Sequence, residues 1–464
     1  MVFNVLDYGA EVGGEVLCTK AVQKAVDECS AAGGGIVRFE GGRYALSTVF
    51  LRSNVTVEIC ENAEIVGAES FYDYEQQEPL DYPLYQDASH SYFHLAMFVG
   101  IDCENICITG KGKIDMRSVW DEDDVRKIVH RGPKCISLKN CKNVEVSGLE
   151  IYRVTDLAVY FAGCENVDIF GLKMSVYIDG ISPDNSKNVR IHDCDVESGD
   201  DGIVFKSSYT LNKIDICKDI HVWDCKVKSR CSALKFGTET NGGFENILIE
   251  NVEVYDTRIS GLAIESVDGA IIDGITVKNV QMKNVNAPIF IHVGRRMRGP
   301  KGRAIGSIKN VFLENITATG PYEPYDVIVS NYETFVTYGE RKTEYPSEFR
   351  YGKIDTSLEE IKAKMDDEWQ ITSNICGLKE SPLQNITLKN VYLKVYGGVQ
   401  EYSREVPENP PAYPEANIYG WTLPAKGIYF RHVEGLTLDN VTIESYRPDT
   451  REDFVFENVQ QRDM

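Results

Sequence analysis

Asn143-Val-Glu-Val-Ser-Gly148 carries the pattern that decides the fold of this chain. The pattern returns as Asn166-Val-Asp-Ile-Phe-Gly171, Asn188-Val-Arg-Ile-His-Asp193 and Asn246-Ile-Leu-Ile-Glu-Asn251. Each copy joins a turn-forming asparagine to a short alternating run that favours a β-strand. With the copy at Asp219 included, neighbouring copies are 22 to 31 residues apart. That period is too short for a β-α-β unit and suits one coil of a β-solenoid.

Further copies begin at Asn105, Asn310, Asn385 and Gly435, so the repeat covers most of the 464 residues. A single coil cannot bury its apolar face, and neighbouring coils must stack to form a core. We therefore predict an all-β fold, a parallel β-helix that forms a single domain over residues 1–464. A solenoid can reach this length as one domain because its core grows lengthwise.

Three segments depart from the repeat. Helical spacing of apolar residues within 15–30 predicts a capping helix, with Thr19 as its N-cap, inside an N-terminal cap of about residues 1–70. Residues 320–383 are rich in aromatic side chains, and residues 395–428 are rich in Pro and Tyr. We predict that both are insertions. Residues 320–383 form either a surface excursion or a wall beside a sugar-binding cleft, and residues 395–428 form a second excursion.

The composition narrows the range of partners. A net charge of −22 argues against nucleic acid or an anionic membrane as a partner. No uncharged apolar stretch is long enough to span a bilayer, and the N-terminal residues do not resemble a signal peptide. The thirteen cysteines include no C-x-x-C pair, so we expect free thiols, no zinc site and a cytoplasmic location.

The candidate catalytic residues are three aspartates. Asp179 and Asp200 are 21 residues apart, about one coil, and Asp201 follows directly. Gly199 and Gly202 allow the backbone turn that would bring both adjacent carboxylates to one side. Clustered carboxylates raise the pKa of at least one member, which separates an acid from a base. A calcium site or a solvated acidic edge is the alternative.

At these residues the chain resembles the polygalacturonase-type enzymes of glycoside hydrolase family 28, which are right-handed parallel β-helices. Phe3-Asn-Val-Leu-Asp-Tyr-Gly9 and Gly110-Lys-Gly-Lys-Ile-Asp115 are similar to the family's first coils. Tyr177-Ile-Asp179 keeps only the aspartate of the first catalytic motif, whereas Asp200-Asp201 keeps the second motif intact. The resemblance implies that Asp200 is the general acid and that Asp179 and Asp201 activate the attacking water.

Two motifs of the family are missing. Its Gly-His-Gly motif falls on Cys231-Ser-Ala233, and its Arg-Ile-Lys motif, which binds the galacturonate carboxylate, falls on Ala263-Ile-Glu265. A methyl group and a carboxylate would repel a uronate rather than bind it. One interpretation is a neutral sugar, with Glu265 accepting hydrogen bonds from its hydroxyl groups.

A second interpretation is that the cations have moved. Lys235 lies two residues beyond the missing motif, and the following coils supply His292, Arg295, Arg296 and Arg298. An arginine fork there would hold a carboxylate from another direction. The alternatives are an exposed strand lysine and a solvated arginine loop.

The resemblance implies an inverting glycoside hydrolase that needs no cofactor and no metal. Stacked coils would instead put Asp179 and Asp200 about 4.8 Å apart, which by distance alone suggests retention. The insertions favour exo action on pectin-derived or related plant oligosaccharides. The missing Arg-Ile-Lys motif favours release of a sugar other than galacturonate, unless the relocated cations bind it. A pectate-lyase-like β-eliminase with Lys235 as base and a non-catalytic carbohydrate-binding β-helix are the rival functions. The sequence does not determine the oligomeric state. The long solenoid flank that carries Trp223 is compatible with a homo-oligomer.

Overall fold

The computed structural model describes residues 1–119, 131–320, 371–402, 404–420 and 422–462. Within these residues the chain consists mainly of β-strands, with one α-helix. It forms two compact units. Unit 1 contains residues 1–198, 208–214 and 218–222, and unit 2 contains residues 199–207, 215–217 and 223–464.

Unit 1 contains the first eighteen strands, which are short and pair in parallel. They are β1 (Val2–Asn4), β2 (Gly35–Phe39), β3 (Gly42–Leu46), β4 (Val49–Phe50), β5 (Val55–Ile59), β6 (Ala63–Gly67), β7 (Ala96–Ile101), β8 (Glu104–Gly110), β9 (Lys113–Asp115), β10 (Lys134–Lys139), β11 (Lys142–Ser147), β12 (Glu150–Tyr152), β13 (Val159–Ala162), β14 (Glu165–Phe170), β15 (Lys173–Val176), β16 (Ile181–Asp184), β17 (Lys187–His192) and β18 (Asp195–Ser198). Short 3-10 helices span Val5–Tyr8, Phe71–Asp73 and Ala88–His90.

The strands of unit 1 stack in three columns, as the coils of a parallel β-helix require. One column runs β1-β2-β5-β8-β11-β14-β17. The second runs β3-β6-β9-β12-β15-β18, and the third runs β4-β7-β10-β13-β16. The predicted solenoid repeat is confirmed, because the copies at Asn105, Asn143, Asn166 and Asn188 lie on successive strands of one column.

The core of unit 1 is a stack of side chains from successive coils. Val57, Ile108, Val146, Ile169 and Ile191 are buried and lie directly opposite one another along the first column. Burying each such side chain stabilises the fold by about 1.5–3 kcal/mol. These side chains pack on their counterparts in the neighbouring coils, so the stability of each coil depends on its neighbours.

The predicted helix is present as α1 (Thr19–Ala31). The prediction that Thr19 is its N-cap is wrong: Cys18 holds that position without a side-chain capping bond, and Thr19 is the first helical residue. The Thr19 hydroxyl instead accepts a hydrogen bond from the backbone N–H of Ser47 at 2.9 Å, a contact with a later coil. The buried face of α1 consists of Val22, Ala25, Val26 and Cys29.

The remaining strands follow in chain order, and all but part of β20 belong to unit 2. They are β19 (Ile203–Ser207), β20 (Ile216–Trp223), β21 (Lys226–Ser229), β22 (Ser232–Thr240), β23 (Gly243–Ser266), β24 (Ile271–Val293), β25 (Ser307–Thr319), β26 (Ser373–Cys376), β27 (Leu383–Gly397), β28 (Ala425–Arg447) and β29 (Glu452–Gln461). The long strands β23, β24 and β28 turn a corner and pair with two series of neighbours, again in parallel.

The two predicted insertions differ in how much of them the structure describes. Of residues 320–383, the stretch 321–370 lies outside the described residues, including the segment predicted as a wall. Within residues 395–428, the described part between β27 and β28 has no strand. The insertion boundaries and the single domain remain predictions.

The cysteines and the lack of long apolar segments were the two features of the composition that the structure can address. All thirteen cysteines are free thiols, as predicted. No helix in the described ranges is long and apolar enough to cross a membrane.

Asparagine side chains link the corners of successive coils. In unit 1, Asn105, Asn143, Asn166 and Asn188 each donate a side-chain N–H to the amide oxygen of the preceding member, starting from Asn54, at 2.9–3.3 Å. All five have φ between 54° and 64°, the left-handed region that asparagine tolerates better than most residues. The repeat therefore begins with asparagine because the corner needs both this backbone conformation and this side chain.

Unit 2 has a ladder of its own. Asn279, Asn315, Asn390 and Asn440 each donate to the preceding asparagine, starting from Asn251, at 2.9–3.1 Å. All five again have positive φ. An asparagine ladder therefore keeps the coils in register within each unit.

We expect Asn166→Ala to lower the free energy of unfolding by about 1–3 kcal/mol, because it adds left-handed strain and removes two ladder hydrogen bonds. Asn166→Gly removes the same bonds without that strain and should cost about 1 kcal/mol less. Urea unfolding of both variants measures the difference. An alanine variant as stable as the glycine variant would contradict the role of the backbone conformation.

Candidate active site

The candidate site in unit 2 is built on the face of β22, β23 and β24 that lies opposite the core. Phe236, Ile264 and Ile291 are buried cross-strand neighbours that fill the core. Side chains alternate along a strand. Lys235 and Ala263, one residue earlier, and Glu265 and His292, one residue later, therefore project to the other side.

Asp200 and Asp201 lie at a bend of the backbone that spans residues 199–202, just before β19. Gly202 is required there, because a Cβ would come within 2.4 Å of Val227 and 2.6 Å of the Ala233 carbonyl oxygen. Asp201 is buried and accepts the backbone N–H of Ser232 at 3.2 Å, whereas Asp200 is half-buried.

Lys235 is the charge partner of Asp201. Its side chain is 2% exposed, and Nζ lies 3.0 Å from Asp201 Oδ2 and 3.3 Å from Oδ1. Burial alone would lower the pKa of Lys235, but the charges of Asp201 and Glu265 outweigh it and hold that pKa well above the usual range. Lys235 is therefore a buried permanent cation and not the exposed strand lysine of the alternative interpretation.

Glu265 is a buried carboxyl group that is protonated at neutral pH. It is fully buried, and neither carboxyl oxygen has a hydrogen-bond partner among the described residues. Burial raises the pKa of Glu265 to about 8, against the opposing effect of Lys235. The group can donate one hydrogen bond and accept others, whereas the sequence suggested an acceptor alone.

His292 lies beside Glu265 in the strand register and is a neutral imidazole. Glu265 pairs with His292 across β23 and β24. Burial lowers the pKa of His292 to about 3. Its Nδ1 shares a hydrogen bond of 2.9 Å with the Tyr419 hydroxyl, and its ring stacks on Phe290. His292 therefore brings a polar group to this face but no charge.

Two of the three arginines of the predicted fork, Arg295 and Arg296, have other partners. Arg295 is exposed and forms an ion pair with Glu380. Arg296 is mostly buried; its Nε donates to Asp268 at 3.0 Å and its Nη2 also binds Asp268. Asp268 thus binds the Nε and Nη2 groups of Arg296, which the sequence assigned to a substrate carboxylate.

The residues that cover this face were not predicted individually from the sequence. The covering segment, residues 404–420, places Tyr413, Glu415 and Tyr419 over the strands. The Tyr413 hydroxyl lies 2.7 Å from Thr238 Oγ1, and Glu415 Oε1 accepts the Cys231 thiol at 3.4 Å. Residues 395–428 stood out by their Pro and Tyr content, but nothing in the sequence pairs them with particular strands.

Arg431 anchors the start of the covering segment. Its guanidinium donates to the carbonyl oxygens of Val406 and Pro407, each at 2.8 Å, and to Glu457 at 2.9 Å. The rest of the segment packs through a buried apolar cluster that includes Ala416 and Ile418. The segment is therefore fixed to the sheet by both polar and apolar contacts.

Asp179 lies in unit 1, in a polar cluster with His90 and Asp87. It is 3% exposed, and its Oδ2 is 4.0 Å from His90 Nε2. His90 Nδ1 in turn lies 2.8 Å from Asp87 Oδ1. His90 and Asp87 were not predicted from the sequence, since both lie in an irregular stretch outside the repeat. The predicted spacing of Asp179 and Asp200 remains a prediction.

A metal ion fits poorly beside the aspartates of unit 2. Asp200, Asp201 and Cys231 each offer a ligand atom within 4.8 Å of the others. Burial raises the pKa of the Cys231 thiol well above its usual value, so it remains a weak, protonated ligand. The Lys235 ammonium already provides the positive charge next to Asp201.

Comparison with known proteins decides the family. The family model of glycosyl hydrolases family 28 matches residues 50–334. The chain belongs to this family. An exopolygalacturonase from Thermotoga maritima superposes with a TM-score of 0.68 at 20% identity, over 96% of this chain and 92% of that one. This likeness establishes the fold as a right-handed parallel β-helix.

Two curated relatives of this family 28 chain have a higher sequence identity to it than the Thermotoga maritima enzyme has. A "Probable polygalacturonase" of Vitis vinifera is 26% identical over 279 residues, which are 57% of this chain and 56% of the relative. An "Exo-poly-alpha-D-galacturonosidase" of Dickeya chrysanthemi is 22% identical over 305 residues, 54% of this chain and 50% of the relative. The chain spans about half the length of these relatives.

The raised pKa of Glu265 predicts a pH-dependent stability of this family 28 protein. The folded state keeps the proton up to about pH 8, whereas an unfolded glutamate loses it near pH 4.3. The folded state therefore binds more protons between these values. This group lowers stability as pH rises through that window, by up to about 1.4 kcal/mol per pH unit.

We expect Glu265→Gln to remove the pH dependence of stability that comes from this carboxyl group. The free energy of unfolding of the variant should then fall less steeply between about pH 5 and 8 than that of the wild type. Chemical unfolding at a series of pH values measures it. Glu253→Gln changes an exposed carboxylate and should follow the wild type. Parallel curves for wild type and Glu265→Gln would show that Glu265 is ionised when folded.

Proposed function

We propose that this family 28 protein is an inverting glycoside hydrolase that removes single sugars from the ends of pectin-derived or related plant oligosaccharides. The observation that carries the proposal is the paired Asp200-Asp201 bend, with a buried lysine bound to Asp201 and a protonated Glu265 nearby. Such an arrangement supplies an acid, a base and a neutral sugar-binding group.

The proposed reaction is a single displacement. Asp200, the more exposed of the pair, gives its proton to the leaving oxygen as the bond from that oxygen to the anomeric carbon breaks. A water oxygen bonds to the anomeric carbon, and its proton passes to Asp179 or Asp201. Lys235 compensates the charge of Asp201 without moving a proton itself.

The proposed sugar at the Glu265 position is neutral. Where family 28 places cations for a uronate, this chain has the methyl group of Ala263 and the carboxyl group of Glu265. Lys235 is bound to Asp201 and Arg296 to Asp268, so both cations are already compensated. A protonated carboxyl group that donates and accepts hydrogen bonds matches sugar hydroxyl groups better than a second carboxylate.

The position of the covering segment across the sheet is the reason for proposing exo action. Residues 404–420 lie across the sheet face that carries Glu265 and His292, and Arg431 fixes the segment there. A covered face does not leave an open groove along the strands. Chain ends, which need a pocket and not a groove, are therefore the proposed substrates.

The lyase alternative requires a lysine that loses its proton near neutral pH. The raised pKa of Lys235 disfavours that role. A non-catalytic carbohydrate-binding protein is the remaining alternative, and turnover separates it from a hydrolase.

Three further predictions about this chain stay proposals. Helix α1 is proposed to cap the end of the coil stack with its buried face. Residues 1–464 are proposed to act as one domain with insertions. The free thiols are consistent with a reducing, cytoplasmic location.

Asp200→Asn should lower kcat about 10²–10⁴-fold, the usual contribution of a general acid. The assay follows sugar release from pectic oligosaccharides and from neutral and acidic aryl glycosides by chromatography. Asp193→Asn removes an exposed aspartate and should retain full activity. We expect a neutral monosaccharide to be the main product.

Other products would lead to other conclusions. Release of galacturonate would contradict the neutral sugar but not the hydrolase. An unsaturated, ultraviolet-absorbing product would identify a lyase. A wild-type protein that binds oligosaccharides without turnover would contradict the enzyme itself.

Exo action predicts how a polymer is shortened. With a long polysaccharide that contains the sensitive bond, reducing ends should accumulate while viscosity falls slowly, because each cut removes a terminal sugar. Capillary viscometry beside a reducing-sugar assay measures both, and an endo-acting pectinase provides the comparison. A rapid fall in viscosity at a few per cent hydrolysis would contradict exo action.

A further inference from the structure

A buried histidine stands beside Asp179, although family 28's own histidine motif is missing from this chain. His90 ends the 3-10 helix Ala88–His90, and Asp87 is the N-cap of that helix. The stretch lies between β6 and β7, far in sequence from the missing motif at Cys231-Ser-Ala233. Only the fold brings it to Asp179.

Asp87 determines how the His90 ring is held. Asp87 Oδ1 accepts the His90 backbone N–H at 3.2 Å and lies 2.8 Å from ring Nδ1. An ionised carboxylate only accepts, so Nδ1 carries a hydrogen. This leaves Nε2 directed to Asp179, with 4.0 Å between Nε2 and Oδ2. That distance is too long for a direct hydrogen bond but short enough for a strong charge interaction.

Tyr160 packs against the other side of the ring. Its ring meets that of His90 edge to face, with centroids 5.8 Å apart. The Tyr160 hydroxyl donates to the His90 carbonyl oxygen at 3.3 Å and lies 3.1 Å from Asp184 Oδ2. With His90 only 3% exposed, the ring has a fixed orientation.

The charged groups around His90 favour its cationic form. Asp87 and Asp179 face its two nitrogens, and Asp184 interacts with it at longer range. The opposing cation is Arg131, 3.9 Å from Asp87. Arg131 and Lys134 are both within 4.0 Å of Asp156, which offsets part of their charge.

We propose that His90 is a positioning residue for Asp179. As an imidazolium held by Asp87, it keeps Asp179 ionised and oriented to accept the proton of the attacking water. No bond to His90 forms or breaks in this step. The role rests on the proposed hydrolase function, since Asp179 is a base only in that reaction.

The test combines kinetics with the titration of His90. His90→Gln should lower kcat about 10- to 100-fold with KM changed less than about twofold, because His90 acts through Asp179 and does not touch the sugar. The acidic limb of the kcat/KM profile should move to higher pH, since Asp179 loses a neighbouring cation. His94→Gln, whose ring packs on Phe50, should leave both unchanged.

The second measurement needs no substrate. The pH titration of His90, followed by NMR of ring-labelled histidines, should shift to a lower midpoint in Asp179→Asn and in Asp87→Asn, because each removes a charge that favours the imidazolium. Both variants keep His90, and thermal melting confirms that they fold.

The outcomes separate the two proposals. A His90 midpoint that does not respond to Asp179→Asn, or an unmoved acidic limb in folded His90→Gln, overturns the role of His90 while hydrolysis stands. A wild-type protein that hydrolyses none of the substrates overturns the proposed function. The proposed role of His90 is then overturned as well, even where the titration shows that His90 and Asp179 interact.

Discussion

The asparagine corner is the constraint on which the coils depend. Each ladder asparagine must adopt a positive φ and, at the same time, exchange side-chain hydrogen bonds with the coils before and after it. Few residues satisfy both demands, because a left-handed backbone disfavours most side chains and glycine has no amide. Once the corners are stacked, the strand after each corner is in register. The interior residues, such as Val146 and Ile169, then lie directly opposite one another.

Because that constraint is local, it is visible in the sequence. The repeat beginning at Asn143 predicted the strands, their direction and the stacking, since one residue type at one spacing carries the geometry. Thr19 shows where local reasoning ends: a threonine at a helix start is a good N-cap, but its hydroxyl is engaged by Ser47 from another coil. The partner of Arg296 is a second case, because Asp268 could not be chosen from the sequence among many carboxylates.

The sequence indicates which charged residues belong to the candidate site, but it does not indicate their protonation. Lys235 and Glu265 were recognised as charged residues at unusual positions, but their protonation depends on burial by the covering segment. Residues such as Glu415 and Tyr413 reach this face across more than a hundred residues of sequence. Burial separates the two groups: the lysine keeps its charge because Asp201 is 3.0 Å away, and the glutamate gives up its charge because no partner of that kind reaches it.

The two buried histidines have different surroundings. His292 packs between an aromatic ring and a tyrosine hydroxyl, and burial lowers its pKa to about 3. His90 is buried to a similar degree, but carboxylates face both of its ring nitrogens. Desolvation disfavours the charged form in both, and only His90 has neighbours that can compensate for it. A histidine motif read from the sequence alone therefore says little about charge; the side chains that the fold brings to its two nitrogens decide it.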